Sequence, residues 1–165
     1  FFGYLIIPFY YHGQLRYYNA RKVIGNGPRY NNPNKDITGL GKEFIIFNYD
    51  ALEMYRSVFI CEGALNALTL GDRGIATMGK AISAYQVNEL LKSSCQRYII
   101  LLDPDAKRYA VNLALKLVAY KKVKVVFLPD GKDVNDLGRK QTLKLVYQTR
   151  YQSYQELISI RNSLE

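Results

Sequence analysis

The pattern of hydrophobic and polar positions changes character near Tyr55. Before it, Tyr4-Leu5-Ile6-Ile7-Pro8-Phe9 and Gln14-Leu15-Arg16-Tyr17-Tyr18 read as two strands joined by a turn at His12-Gly13, with a loop at Gly25-Asn26-Gly27-Pro28. A further short strand is expected over residues 44–47 and a helical connector over 50–56. After Tyr55, short β-branched runs alternate with helical patterns. Residues 58–61, 75–78, 98–102 and 123–128 read as four buried parallel strands. Between them lie a short helix over 64–70, a helix over 83–92 opened by a Ser83/Gln86 capping box, and an amphipathic helix over 106–120. Residues 142–164 read as one or two terminal helices. The alternation predicts an α/β fold: a four-stranded parallel sheet flanked by helices, preceded by a small, mainly antiparallel β lobe and followed by C-terminal helices. The expected divisions are 1–54, 55–138 and 139–165.

Composition narrows the classes open to such a chain. It has 165 residues, 48% of them hydrophobic and 22% charged, which are values of a folded domain and exclude a collagenous, disordered or coiled-coil chain. The balance of 23 Lys and Arg against 14 Asp and Glu leaves a net charge of +9, which points to a polyanionic partner such as nucleic acid. With only Cys61, Cys95 and His12 to draw on, a structural zinc site is excluded, and Cys61 reads as a buried thiol of a reducing compartment. No apolar run approaches the roughly 20 residues of a membrane helix. The opening Phe1-Phe2-Gly3 lacks the basic start of a signal peptide and is expected to be the start of an excised fragment.

The acidic residues carry the chemical signal. Glu62, Asp103 and Asp130 each follow an expected strand, and parallel strands bring their carboxyl ends to one sheet edge. Asp105 shares a loop with Asp103, and Asp133 and Asp136 add charge from the next loop. Taken singly, each of these acids reads as a helix N-cap. Together, beside Gly63 and Gly131, they form a cluster that needs a cation, and hard oxygen ligands without Cys or His favour Mg²⁺ or Mn²⁺. Arg21, Lys22, Arg29 and Lys80 could supply cations to a triphosphate, Lys80 reading more readily as a solvated surface lysine. The pairs Tyr10-Tyr11 and Tyr17-Tyr18 could stack bases or serve as core. The run Lys121-Lys122-Val123-Lys124 is expected to be a solvated helix end.

The order Glu62-Gly63, Asp103-Pro104-Asp105 and Leu128-Pro129-Asp130-Gly131-Lys132-Asp133-Val134-Asn135-Asp136 resembles the Toprim domain of primases, topoisomerases and some nucleases. The stretch from Tyr4 through Asn19-Ala20-Arg21, Gly27-Pro28-Arg29-Tyr30-Asn31-Asn32-Pro33 and Lys42-Glu43-Phe44 resembles the basic lobe that precedes Toprim in DnaG-type and phage helicase-primases. The resemblance implies a DNA primase catalytic core that synthesises short RNA primers on single-stranded DNA from nucleoside triphosphates, by metal-dependent nucleotidyl transfer. It implies a metal centre of Glu62, Asp103, Asp105 and Asp133, with Glu62, Asp103 and Asp105 catalytic, and nucleotide or template contacts from Arg21, Arg29 and Lys132. Lys132 matches the Lys-Asp-x-Asn form of the phage branch. Asn66 and Asn135 stand where many relatives carry an acid. The implied partners are a replicative helicase and a zinc-binding domain outside these residues, in a bacterial or phage-infected cytoplasm. A Toprim nuclease or topoisomerase-type enzyme and a non-catalytic nucleic-acid-binding module are the alternatives.

Overall fold

A computed structural model describes residues 2–164, so Phe1 of the opening tripeptide lies outside the described residues. The chain begins with an antiparallel hairpin, β1 (Tyr4–Tyr11) and β2 (Gln14–Lys22). Its two-residue turn has positive φ at both His12 and Gly13, the mirror-image geometry whose twist matches a hairpin. His12 is held in that conformation by its backbone N–H, which donates to the Asp50 carboxylate at 2.9 Å. Burial alternates along β1, with Ile7 and Phe9 inside and Leu5, Ile6 and Tyr10 exposed.

Short helices α1 (Lys35–Thr38) and α2 (Ala51–Met54) and a 3-10 turn at Lys42–Phe44 lead into the parallel sheet. The sheet contains β3 (Ser57–Cys61), β4 (Gly74–Ala76), β5 (Arg97–Leu101) and β6 (Lys122–Val125), all parallel and ordered β4-β3-β5-β6. Helix α3 (Ala64–Leu70) links β3 to β4, α4 (Ala84–Lys92) precedes β5, and α5 (Lys107–Leu117) links β5 to β6 behind a 3-10 turn at Pro104–Ala106. Helices α6 (Val134–Gln148) and α7 (Tyr154–Ser163) complete the chain.

Successive strand residues point to opposite faces, so the sheet builds two cores. On one face Val58, Ile60, Tyr98, Ile100, Val123 and Val125 pack against α4, α5 and α7. On the other, Cys61, Ile99 and Leu101 pack against α3, α6 and the buried side of the hairpin, where Phe9 meets Tyr17 and Phe47 with ring centroids 5.5 and 4.9 Å away. Cys61 and Cys95 are free and buried, Cys61 as the sequence predicts. At Gly74 a β-carbon would fall 2.0 Å from the Ala67 carbonyl oxygen, so only glycine lets α3 lie this close to β4.

Several elements differ from expectation. Residues 44–47 form no strand: Phe44 closes the 3-10 turn, Phe47 makes a single antiparallel bridge to Ala76, and the carbonyls of Glu43 and Ile45 are taken by the side chains of Ser83 and Gln86. The second sheet strand stops at Ala76, two residues before Met78 adopts φ 61°. β6 stops at Val125, though the Val126 N–H still donates to Ile100 at 2.9 Å. Helix α6 starts at Val134, earlier than the expected position 142, because Asp133 and Asp136 form a capping box there. The lysine run is no solvated helix end. Lys122–Val125 is a strand, Lys121 donates to the carbonyls of Ser93 and Cys95, and Lys124, 9% exposed, donates to those of Val146 and Thr149 and lies over the Tyr151 ring.

Candidate functional site

The carboxyl ends of β3 and β5 stop side by side, and an acid lies just past each: Glu62 directly after Cys61 and Asp103 two residues after Leu101. Both line a cleft of about 380 Å³, and Asp133, which precedes α6, joins them. The opposite wall comes from the hairpin and the loop after it. The Asn31 N–H donates to Ala20, the Lys22 N–H donates to Arg29, and Asn19 donates to the Asn32 side chain at 2.8 Å, so the loop folds back along the end of β2. That fold-back places Arg21, Arg29, Tyr30 and Asn32 in the cleft, with Arg29 over the Tyr30 ring, and Lys42 completes the wall. Cations from one substructure thus face carboxylates from the other.

The electrostatics follow from this placement. Glu62 is half-buried, and desolvation, followed by repulsion from Asp103 and Asp105, holds its carboxyl above the ordinary range, with Lys80 and Lys42 opposing. Asp103 is shifted the same way, by burial first and then by Asp133, Asp105 and Asp136. Burial, reinforced by Asp103 and Asp133, pushes the Cys61 thiol far up, which keeps it a protonated core group.

Each acid has a distinct local fate. Asp103 accepts from the Asn66 amide at 3.1 Å, and the Asn66 carbonyl accepts from the Asn135 backbone N–H at 3.2 Å. Asn66, 5% exposed, therefore ties the β5 acid to the start of α6. Asp133 spends one carboxylate oxygen on the Asp136 N–H at 2.8 Å. Asp105 points away to Lys80 at 2.9 Å in an exposed pair, which lowers its pKa, and neither residue lines the cleft. Asp130 is paired with Lys107 at 2.8 Å.

The structure therefore brings together Glu62, Asp103, Asp133, Arg21 and Arg29 from the sequence-predicted set, and leaves Asp105, Lys22, Lys80 and Lys132 outside the lining. Lys22 instead donates to the Gly27 carbonyl. Among the described residues no group of three or more His, Cys, Asp or Glu is arranged to hold a metal ion. Two neighbouring carboxylates that repel one another, faced by open space and unpaired with a lysine, nevertheless suit Mg²⁺, which takes one or two protein carboxylates and completes its shell with water and substrate phosphates. Sequence reasoning missed Lys42, Tyr30 and Asn32 as lining residues. Asn66 had been singled out only for not being an acid.

Residues 59–138 match the Toprim-like family. The chain is 28% identical over 149 residues to a DNA primase of Aquifex aeolicus, covering 81% of this chain and 30% of that protein. It is 27% identical over 147 residues to a DNA primase of Clostridium acetobutylicum, covering 82% and 24% respectively. The chain thus spans less than a third of the length of these curated relatives. Among solved structures, the E. coli primase catalytic core superposes with a TM-score of 0.75 at 21% identity, over 98% of this chain and 56% of that one. The zinc-binding and RNA polymerase domains of the Aquifex aeolicus primase superpose at 0.72 and 23% identity, over 91% and 41%. Among the described residues no helix is long and apolar enough to cross a membrane.

Proposed function

We propose, from the premise that residues 59–138 are a Toprim-like domain set within the fold of a DnaG-type primase catalytic core, that this chain is the RNA-polymerase core of a DNA primase. The observation that carries the reading is the cleft in which Glu62, Asp103 and Asp133 face Arg21, Arg29 and Lys42. Carboxylates opposite guanidinium groups match a reaction between a polyphosphate and a metal-activated centre. The domain organisation proposed with it is 1–54 for the basic lobe, 55–138 for the Toprim domain and 139–165 for the helical end.

In this reading Glu62 and Asp103 would hold Mg²⁺ or Mn²⁺, with Asp133 beside them. Once bound, such an ion neutralises charge on the phosphoryl oxygens and on the pyrophosphate leaving group. Arg21, Arg29 and Lys42 bind the triphosphate of the incoming ribonucleotide, the arginines through two-pronged contacts. The 3′-oxygen of the growing primer bonds to the α-phosphorus, the bond to pyrophosphate breaks, and the hydroxyl proton leaves to water, or to Glu62 where that carboxylate is not engaged by the ion. Asn66 positions Asp103. Asp105 would join the centre once its exposed pair with Lys80 opens.

The partners proposed are single-stranded DNA, nucleoside triphosphates, a replicative helicase and a zinc-binding domain carried elsewhere, in a bacterial or phage-infected cytoplasm; the zinc-binding domain of the Aquifex aeolicus neighbour supports the zinc-domain partner. The test is primer synthesis on single-stranded DNA with labelled ribonucleotides in Mg²⁺ or Mn²⁺, alongside Mn²⁺ binding followed by paramagnetic resonance. Asp103→Ala and Asp105→Ala are expected to abolish the oligonucleotide product, and Asp103→Ala to weaken Mn²⁺ binding as well. Unchanged synthesis in Asp103→Ala would overturn the assignment. Metal-independent DNA binding without synthesis would instead identify a binding module.

A further inference from the structure

A second cavity, of about 620 Å³, lies beside the turn end of the hairpin, between it and α4, and shares no lining residue with the carboxylate cleft. Its walls are aromatic: Tyr11 stacks on Tyr49 with centroids 4.5 Å apart, and Phe44 meets Tyr85 edge-on at 5.4 Å. The first pair is structural, since the Tyr11 hydroxyl accepts from the Ile46 N–H and the Tyr49 hydroxyl donates to Glu89 at 2.7 Å. The second pair is not: Phe44 and Tyr85 remain 41% and 39% exposed although they line a concave surface.

Arg16 reaches this cavity through a backbone irregularity. Phe9 is opposite Tyr17 and Tyr10 is opposite Leu15, so Arg16 is the extra residue of a β-bulge, with nothing across from it. Bulges re-aim a side chain next to a site. The Arg16 charge acts on both Tyr11 and Tyr85, and the Glu89 charge on Tyr11, Tyr49 and Tyr85, so a cation and a carboxylate face the same group of rings.

The geometry points to a nucleotide-binding site in this cavity, with the base against Tyr85 and Phe44 and the phosphate on the Arg16 guanidinium. A base offers a π-face to aromatic rings regardless of its identity. Its N–H groups match Glu89, which can only accept. The guanidinium fork matches phosphate oxygens, and the volume falls in the range of small-ligand sites. An apolar ligand would leave the Arg16 guanidinium and the second Glu89 carboxylate oxygen, beyond the one that Tyr49 engages, unmatched. The same chemistry is offered by a free nucleotide and by a nucleotide within a single strand.

The test is calorimetric titration of the full chain in EDTA with guanosine 5′-monophosphate, with inorganic phosphate and with a single-stranded oligothymidylate of about 6 nucleotides. Working without divalent ions separates this proposal from the primase assignment, which can fail or stand independently. Binding of the nucleotide or the oligonucleotide is expected, weakened about tenfold or more by Arg16→Ala and by Tyr85→Ala and unchanged in Asp103→Asn and Arg29→Ala. Response to the mononucleotide identifies a free nucleotide, and response to the oligonucleotide alone identifies a strand. Chemical-shift changes in the parent chain should centre on Tyr85 and Glu89, a readout that does not depend on any variant folding. The proposal is overturned if neither ligand binds, if inorganic phosphate binds as tightly as the nucleotide, or if the shifts centre on residues 62 and 103.

Discussion

The four-stranded parallel sheet is covered on both faces, whereas the β1–β2 hairpin is covered on one. The two adjacent strands β3 and β5 are near-continuous apolar runs, so their carboxylates stand past the strand ends, at Glu62 and Asp103. The hairpin alternates, so polar residues can appear along its length, and Arg21 and Asn19 line the cleft from within or beside its ladder. A doubly covered sheet concentrates charge at an edge. A singly covered one spreads it over a face, and the cleft forms where the two arrangements meet.

The comparison is broken most severely from the sheet. Ile100 is fully buried in the central region of the sheet, and Ile100→Ala is expected to cost about 4 kcal/mol in denaturant unfolding, lowering the stability of the whole chain. Phe9→Ala is expected to cost about 3 kcal/mol, with hydrogen exchange rising in residues 4–22 ahead of β5. Equal rises in both regions would show that hairpin and sheet open as one unit. At the cleft, Arg29→Ala should raise the KM for ribonucleotides about tenfold, and Arg29→Lys should restore only part of this, because the charge returns without the fork.

The smallest effect concerns the charge crowded at the sheet edge. Glu62 and Asp103 lie above their ordinary values of 4.5 and 3.8. The folded chain therefore binds these protons more tightly than the unfolded chain, so the pair's contribution to stability is full below about pH 4 and lost as pH rises through the raised values. Glu62→Gln should raise the Tm by about 1–3 °C at pH 7, with the gain shrinking towards pH 4 in a calorimetric series. A lower Tm at pH 7 would show that the cleft cations already compensate the charge.

What could be read from the chain without a structure was what neighbours in sequence decide. The runs 58–61 and 98–102, the Ser83/Gln86 box and the apolar stripe from Ala110 to Leu117 are local patterns, and each became the expected element within a residue or so at most ends. Residues 44–47 have the composition of a strand, but side chains about forty residues away took the carbonyl of Ile45, to Gln86, and that of the preceding Glu43, to Ser83. The acids legible at strand ends do share an edge. Which of them enter the cleft was set by contacts that no spacing reveals: Lys80 draws Asp105 out, and Asn66 holds Asp103 in place. Lys42 enters through the 3-10 turn that replaced the expected strand.

Gly138 interrupts α6 at φ 70° and ψ 166°, a conformation that favours glycine. In an unbroken helix every inserted residue turns the remainder by about 100°, so a change of length anywhere along it is felt at both ends. The interruption cancels that transmission of phase. Residues 134–137, following Asp133 at the cleft, keep an angular setting of their own, fixed by the capping box and by Asn66. The ten residues beyond Gly138 take their direction from packing of their own, with Thr142 and Val146 buried and Lys124 donating to the Val146 carbonyl, without retuning the acidic edge.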